Sequence, residues 1–336
     1  MVVTIKDVAR RAGVSHTTVS RALRDSPLIS LATTERVRKF AKEMGYQPSA
    51  AARSLKTNRS HVLGVIVSAI DDPFFSEILQ GIDDIAQQSG YSLFIAASQR
   101  DLNRERAIVR TMREHRVDGV ILCSTPFSTE QSKQLNSYEI PIVVINNQSN
   151  KEYRYSIFHD DLDGSCQVMK HLIDLGHRRI AYLGYAHSGR TNASRLAGYR
   201  QQMQAARLEI HAGYEYQSEA SDPGSGLLAK DHFCALSLRP TAIFCYNDML
   251  AIGMLRGLQA AGLQVPGDMS IAGFDNIPFS AFTNPPLTTF EQPKRFIGRE
   301  AASLVLTLLN SDESSSRIQV LQGRLLVRNS TAENHM

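Results

Sequence analysis

Polar residues with ligand-binding chemistry recur at one kind of place in this 336-residue sequence: where an apolar run stops. Asp71-Asp72-Pro73-Phe74-Phe75 follows VLGVIVSA, and Asn146-Asn147 closes PIVVINN. Arg195 opens RLAGYR, Asn247-Asp248 follows TAIFCY, Asp275-Asn276 follows SIAGF, and Gln292 follows LTTFE. Asp and Asn chelate neighbouring hydroxyls, Arg supplies a fork of donors, and Phe offers a flat face to the C–H side of a ring. Taken singly, each reads as a helix cap or turn residue, Asp72 and Asp248 above all. Together they read as the lining of a ligand site. The set contains no nucleophile–base pair of recognisable spacing, and the chain has no GxGxxG after its first strand, no GxxxxGK[ST], no GxSxG and no HExxH. The chemistry is binding rather than catalysis, with no metal and no cofactor called for.

The elements that position these residues follow from periodicity. From Val62 onward, short β-rich runs alternate with amphipathic stretches at 75–89, 103–115, 162–175, 191–208 and 247–261. The runs are VLGVIVSA, YSLFIAAS, DGVILCS, PIVVINN, RIAYLGY, TAIFCYND and SIAGFDN. Continuous apolar strands separated by helices predict buried parallel sheets. Their number predicts an α/β domain of two doubly wound lobes within 61–336: 61–160 with a crossover segment 293–325, and 161–292. Ligands bind such sheets beyond the carboxyl ends of the strands, where the polar residues stand. An aromatic wall is expected from Tyr214 or Tyr216.

Residues 1–47 have another character. Thr4-Ile5-Lys6-Asp7 has the form of a capping box, and Ile5, Val8 and Ala9 follow at helical spacing. Gly13 interrupts, and Ser15 caps a second helix predicted to run through Arg24, with Val19, Ala22 and Leu23 inward. Ala9, Gly13 and Val19 have the small–Gly–aliphatic spacing of a helix-turn-helix. A third helix is predicted from Ser30 to about Met44, supplying Val37, Phe40, Ala41 and Met44, with Gly45 as its stop. Residues 1–60 hold 12 Lys and Arg against 4 Asp and Glu, a net of +8 that leaves −4 for the remainder of a chain of net +4. A basic head on an acidic body points to a polyanion partner for the head alone. The second helix presents His16, Thr17, Ser20, Arg21 and Arg24 outward, which suits a helix lying in the DNA major groove. Arg10, Arg11, Lys39 and Lys42 suit phosphates. In Tyr46–Thr57, Pro48 favours a helix start, the alanines propagate it, and Leu55 is the one large apolar side chain. A helix of that length needs outside support to form.

The segments TIKDVARRAGVSHTTVSRAL and GYQPSAAARSLKTNRSHVLGVIV resemble the headpiece and hinge helix of the LacI/GalR family of bacterial transcription regulators, and the likeness runs in order to LLVRNSTA. It implies a sequence-specific regulator, most simply a repressor, that binds a palindromic operator as a homodimer. It implies base contacts by His16, Thr17 and Arg21, with Leu55 wedged into the minor groove, and backbone contacts by Thr18, Ser20, Arg24 and Arg53. It makes 48–60 a hinge. Arg24 and Asp25 stand where such headpieces often carry an Asn and a small residue, so the operator sequence is this chain's own. The body resembles periplasmic sugar-binding proteins, which implies an effector held by Asp72, Phe74, Phe75, Asn146, Arg195, Asn247, Asp275 and Gln292: a sugar or sugar derivative, with a purine as the alternative. Asn146-Asn147 departs from the acidic–basic pair of ribose binders.

Cys123, Cys166, Cys234 and Cys245 stand far apart without metal-ligand spacing and read as reduced thiols. With no apolar leader in MVVTIKDVARRAG and no run of 18 apolar residues, the expectation is a cytoplasmic protein with no membrane partner. The absence of a leucine heptad after Val327-Arg328 predicts a dimer rather than a tetramer.

Overall fold

The computed structural model describes residues 3–46, 59–123, 135, 137, 138, 140–146, 153–310 and 316–334. Residues 48–58 of the proposed hinge, with Arg53 and Leu55, and Asn147 lie outside the described residues. The chain divides into two compact units, Met1–His61 and Val62–Met336.

In the first unit, α1 (Ile5–Ala12) starts where the Asp7 carboxylate accepts from the Thr4 backbone N–H at 3.0 Å and the Thr4 hydroxyl at 2.6 Å. Gly13 ends it at φ 66°, a left-handed conformation that glycine adopts without a Cβ clash. Ser15 caps α2 (His16–Ala22) by accepting from Thr18 N–H at 3.0 Å, and Ser30 caps α3 (Leu31–Glu43). α2 stops two residues short of the predicted Arg24. Asp25 takes φ 55°, and its carboxylate pairs with Arg38 of α3, which turns the chain out of the helix. Val8, Ala9, Ala12, Val19, Ala22, Val37 and Ala41 form the core, with Phe40 and Met44 packed against it.

The second unit contains two six-stranded sheets. The first has β1 (Val62–Val67), β2 (Ser92–Ala97), β3 (Gly119–Cys123), β4 (Ile142–Ile145), β5 (Tyr155–His159) and β11 (Arg317–Leu321), in the order β11-β5-β4-β3-β1-β2, all parallel. The second has β6 (Ile180–Tyr185), β7 (Glu215–Ser218), β8 (Ala242–Cys245), β9 (Ser270–Asp275), β10 (Thr288–Glu291) and β12 (Arg324–Leu326), in the order β12-β10-β9-β8-β6-β7. The helices are α4 (Phe74–Gln88), α5 (Leu102–Glu114), α6 (Asp161–Asp174), α7 (Arg190–Ala205), α8 (Pro223–Ala235), α9 (Asp248–Ala260) and α10 (Lys294–Asn310). Each sheet reverses its winding beside its first strand, at β1/β3 and at β6/β8, the switch points where α/β sheets open a crevice.

Three passages join the lobes: 159–161 from β5 to α6, 291–294 from β10 to α10, and 321–324 from β11 to β12. The predicted crossover segment ended at 325 on the first lobe. β12 instead pairs antiparallel with β10 of the second sheet, drawn there by Leu325 beside Phe290 and by Arg324 on Glu291 at 2.7 Å.

α4 and α10 cross in near backbone contact. A Cβ on Gly81 would lie 2.1 Å from the Arg295 carbonyl oxygen, and one on Gly298 would lie 2.1 Å from that of Ile78. These glycines fix how the Phe74 end of α4 and the Lys294 end of α10 are set. Gly298→Ala forces the helices apart and lowers stability by about 1–3 kcal/mol, read as a lower urea midpoint. An unchanged midpoint would show that the seam is not this tight in solution.

Candidate functional site

At the carboxyl ends of β1, β2, β4, β6, β8 and β9, a recess of about 560 Å³, counted to its open mouth, is lined by Asp72, Phe74, Phe75, Arg100, Asn146, Ser188, Thr191, Arg195, Tyr246, Asn247 and Asp275. The Phe74 and Phe75 rings meet edge to face at 5.1 Å, and both are buried. Asp72 caps α4, accepting from Phe74 N–H at 3.0 Å, and Asn247 caps α9, accepting from Leu250 N–H at 2.9 Å. Asn146 and Asp275 leave their strands with φ 61° and 114°.

Arg195 joins this lining with its guanidinium held between two rings, 3.8 Å from the Phe274 centroid and 4.6 Å from that of Tyr246. Its Nε donates to Asp161 at 2.7 Å, Nη1 to the Tyr246 carbonyl, and Nη2 lies 3.5 Å from Asp275. The same Asp161 oxygen lies 2.7 Å from His159 Nε2. All of these groups are buried. Burial alone would raise the Asp161 carboxyl, but Arg195 and His159 outweigh it and hold it below the usual range. For Asp275 burial prevails, helped by Asp248 and Asp72 against Arg195, and the carboxyl is pushed well up. Asp72 is raised more gently, by burial against the Phe74 N–H and Arg100.

In the helical unit, His16, Thr17, Arg21 and Arg24 are exposed, and none of their side chains makes a hydrogen bond or ion pair with another described residue. Thr18 and Ser20 are half-buried, the Thr18 hydroxyl 2.9 Å from that of Ser15. Arg10, Lys39 and Lys42 are exposed, Arg10 3.7 Å from Asp7, and Arg11 lies over the Phe40 ring at 5.7 Å.

The family model described as "Bacterial regulatory proteins, lacI family" matches residues 4–49, and a periplasmic binding protein-like domain matches 169–331. The HTH-type transcriptional repressor PurR of Vibrio campbellii is 36% identical over 327 residues, 97% of this chain and 98% of its own. The chain belongs to the lacI family. This regulator's fold matches that of the lac repressor dimer bound to operator and the anti-inducer ONPF, with TM-score 0.90 and 28% identity over 99% of this chain and 100% of the other. It also matches the transcriptional regulator CelR in complex with cellobiose, with TM-score 0.74 and 27% identity over 98% and 99%. It is a lacI-type transcriptional repressor and binds DNA through its helix-turn-helix unit.

Of the eight residues expected in the lacI-family effector site, seven line one recess. Gln292 does not. It is 1% exposed and sits behind Asp275, donating to its carboxylate at 2.5 Å, so it orients Asp275 from the passage between β10 and α10. Neither Tyr214 nor Tyr216 provides the aromatic wall. Residues two apart share a face of a strand, and here both rings face α8: Tyr214 donates to the Leu238 carbonyl, and Tyr216 stacks on His232 at 4.4 Å. Tyr246 lines the recess instead. Asp248 is an interior residue, accepting from Ile277 N–H and Thr289, and burial pushes its carboxyl up to about 7. Asn276 turns to Glu291 and Arg328, and Asp71 is exposed. The sequence reading omitted Arg100, Ser188, Thr191 and Tyr246. The rule that found the others, polar residues just past a strand, also fits Arg100 after β2 and Tyr246 after β8.

Asp161→Asn leaves the Arg195 guanidinium buried without its carboxylate and costs about 3–5 kcal/mol at pH 7. Because the folded pKa of Asp161 is depressed, its contribution is complete above the unfolded value near 4 and is lost as pH falls through the folded value. The gap between wild type and variant in urea midpoint therefore narrows below about pH 4. A gap that persists unchanged at pH 3 would contradict this assignment.

Proposed function

We propose that this repressor is governed by a sugar or sugar derivative held in the recess, and that the occupant alters operator affinity. The observation that carries the reading is the convergence of Asp72, Asn146, Arg195, Asn247 and Asp275 around Phe74 and Phe75 at the switch points of both sheets. Carboxylates and amides bind vicinal hydroxyls from two sides, while a phenyl face takes the C–H side of the ring. The cellobiose held by the similarly folded CelR supports that class of ligand. Asp275, which accepts from Gln292 and lies beside Arg195, adds carboxyl oxygens to the lining.

On the DNA side, His16, Thr17 and Arg21 read base edges, Leu55 wedges the minor groove, and Thr18, Ser20, Arg24 and Arg53 meet the backbone of a palindromic operator bound by a homodimer. The exposed side chains of His16, Thr17, Arg21 and Arg24, without partners among the described residues, support this, since groups kept for DNA have no other partner. Leu228, Phe279 and Phe282, 67%, 60% and 85% exposed, are the apolar surface that a second copy would cover.

The test screens ribose, glucose, cellobiose and purine bases by thermal shift. It then follows the best ligand by calorimetry and operator binding by gel shift, using a site selected from random DNA. Asp275→Asn lowers ligand affinity about 10-fold, the loss of one charged or strong hydrogen bond, and leaves ligand-free operator binding unchanged. Arg21→Ala lowers specific operator affinity by about 1–3 kcal/mol and leaves ligand affinity unchanged. A purine base as the sole binder overturns the sugar assignment, and a ligand that binds without altering operator affinity overturns the coupling.

A further inference from the structure

Arg100 occupies a costly conformation in the recess. Gln99 and Arg100 follow β2 with φ 53° and 59°, two successive left-handed residues that are not glycine. Such backbone persists only where its surroundings hold it. Here the Gln99 N–H donates to the Ser68 carbonyl at 2.8 Å and the Asp101 N–H to that of Ser98 at 3.1 Å. Arg104 clamps the turn from outside, Nε to the Ala97 carbonyl and Nη1 to Gln99 Oε1, both at 2.9 Å. The result places the Arg100 guanidinium, carried by the first lobe, 5.0 Å from the ring of Tyr185 at the end of β6 in the second.

The other cations around the recess have acceptors among the described residues. Arg195 has Asp161, and the buried Lys294 has Glu77 at 3.1 Å and the carbonyls of Asp275 and Asn276. Burial pushes the Asp275 carboxyl well up and raises that of Asp72, the latter against the Phe74 N–H and the charge of Arg100. Arg100 makes no hydrogen bond or ion pair with another described residue, although Asp72 is near enough to feel its charge. Among the described residues, then, the five N–H donors of Arg100 have no acceptor. Sharing the recess with it are Thr191, Ser188, whose hydroxyl bonds that of Tyr246, and the amino end of α7, a 16-residue helix whose N-cap is Gly189 and so has no side chain to cap it. That end carries partial positive charge.

We infer that the effector is anionic: a sugar bearing a phosphate or carboxylate group, whose charged end meets Arg100, Ser188 and Thr191 while its hydroxyls meet Asp72, Asn247 and Asp275. The inference rests on the proposed sugar site and narrows it. Arg100 then spans the lobes through the ligand, joining the end of β2 to the start of α7, so the charged group reports closure of the recess as well as identity.

The experiment is calorimetry on the full chain at constant ionic strength, with matched ligands: ribose against ribose 5-phosphate, and glucose against glucose 6-phosphate and glucuronate. Inorganic phosphate serves as a competitor. Wild type, Arg100→Gln and Arg110→Gln, an exposed arginine on α5 outside the recess, are compared. The anionic member of at least one pair binds 10-fold or more tighter than its neutral parent. Inorganic phosphate competes with it, and Arg100→Gln removes the preference while Arg110→Gln keeps it. Phosphate against glucuronate distinguishes the two anions. Neutral sugars binding as tightly as the anionic ones, or a preference that survives Arg100→Gln, overturns the anionic assignment and leaves the sugar site standing. Binding of nothing in the set, including inorganic phosphate, overturns both.

Discussion

The guanidinium of Arg195 is buried between the rings of Phe274 and Tyr246, and it must have a carboxylate. A charge removed from water to that depth is tolerable only with a counter-charge and filled hydrogen bonds. Asp161 supplies the first, and it does so from the passage where the chain leaves the first sheet for the second. Gln292 and Lys294 stand on the next passage, one on the Asp275 carboxylate and the other on the Asp275 and Asn276 carbonyls. The connections between the lobes are thus pinned by the same polar cluster that floors the recess. Movement of one lobe on the other has to respect these bonds, and whatever occupies the recess acts directly on them.

This arrangement explains why the recess is lined by caps and strand ends rather than by freely placed side chains. Asp72 and Asn247 each satisfy a helix N-terminus and face the recess with what remains. The glycine seam between α4 and α10 sets where the Phe74–Phe75 pair and the Lys294 end fall. In the second lobe a matching seam joins α8 and α9, where a Cβ on Gly226 would lie 2.1 Å from the Leu250 carbonyl oxygen and one on Gly253 would lie 2.0 Å from that of Pro223.

That seam also shows why parts of the fold were hidden in the sequence. α8 reads PGSGLLAKDHFCA, and its two glycines, of which Gly226 is needed for close approach, erase the local helix signal. β7 is four largely polar residues, and β5 is five without a flanking turn motif, so neither was legible as a strand. The helix-turn-helix, by contrast, was written in local signals: a capping box at Thr4, a left-handed Gly13 and a Ser15 cap, none of which depends on distant residues. The ends of strands were legible wherever an Asp or Asn followed an apolar run. Side-chain direction was not, which is why Gln292 was read as lining and Tyr214 or Tyr216 as a wall. Arg100 stands just past β2, where the same rule reaches it, but the direction of its side chain is set by a strained turn and a partner ring in the other lobe.

The central claim is that recess and operator are coupled. Linkage requires such coupling to be reciprocal, whatever the path between the sites. The direct measurement is a closed thermodynamic cycle: effector affinity by calorimetry with and without saturating operator duplex, and operator affinity with and without saturating effector, in one buffer. The account predicts that both affinities change by the same factor, about 5- to 150-fold, the usual range for coupled sites. A factor of one on both arms, with an effector that binds tightly, would contradict it.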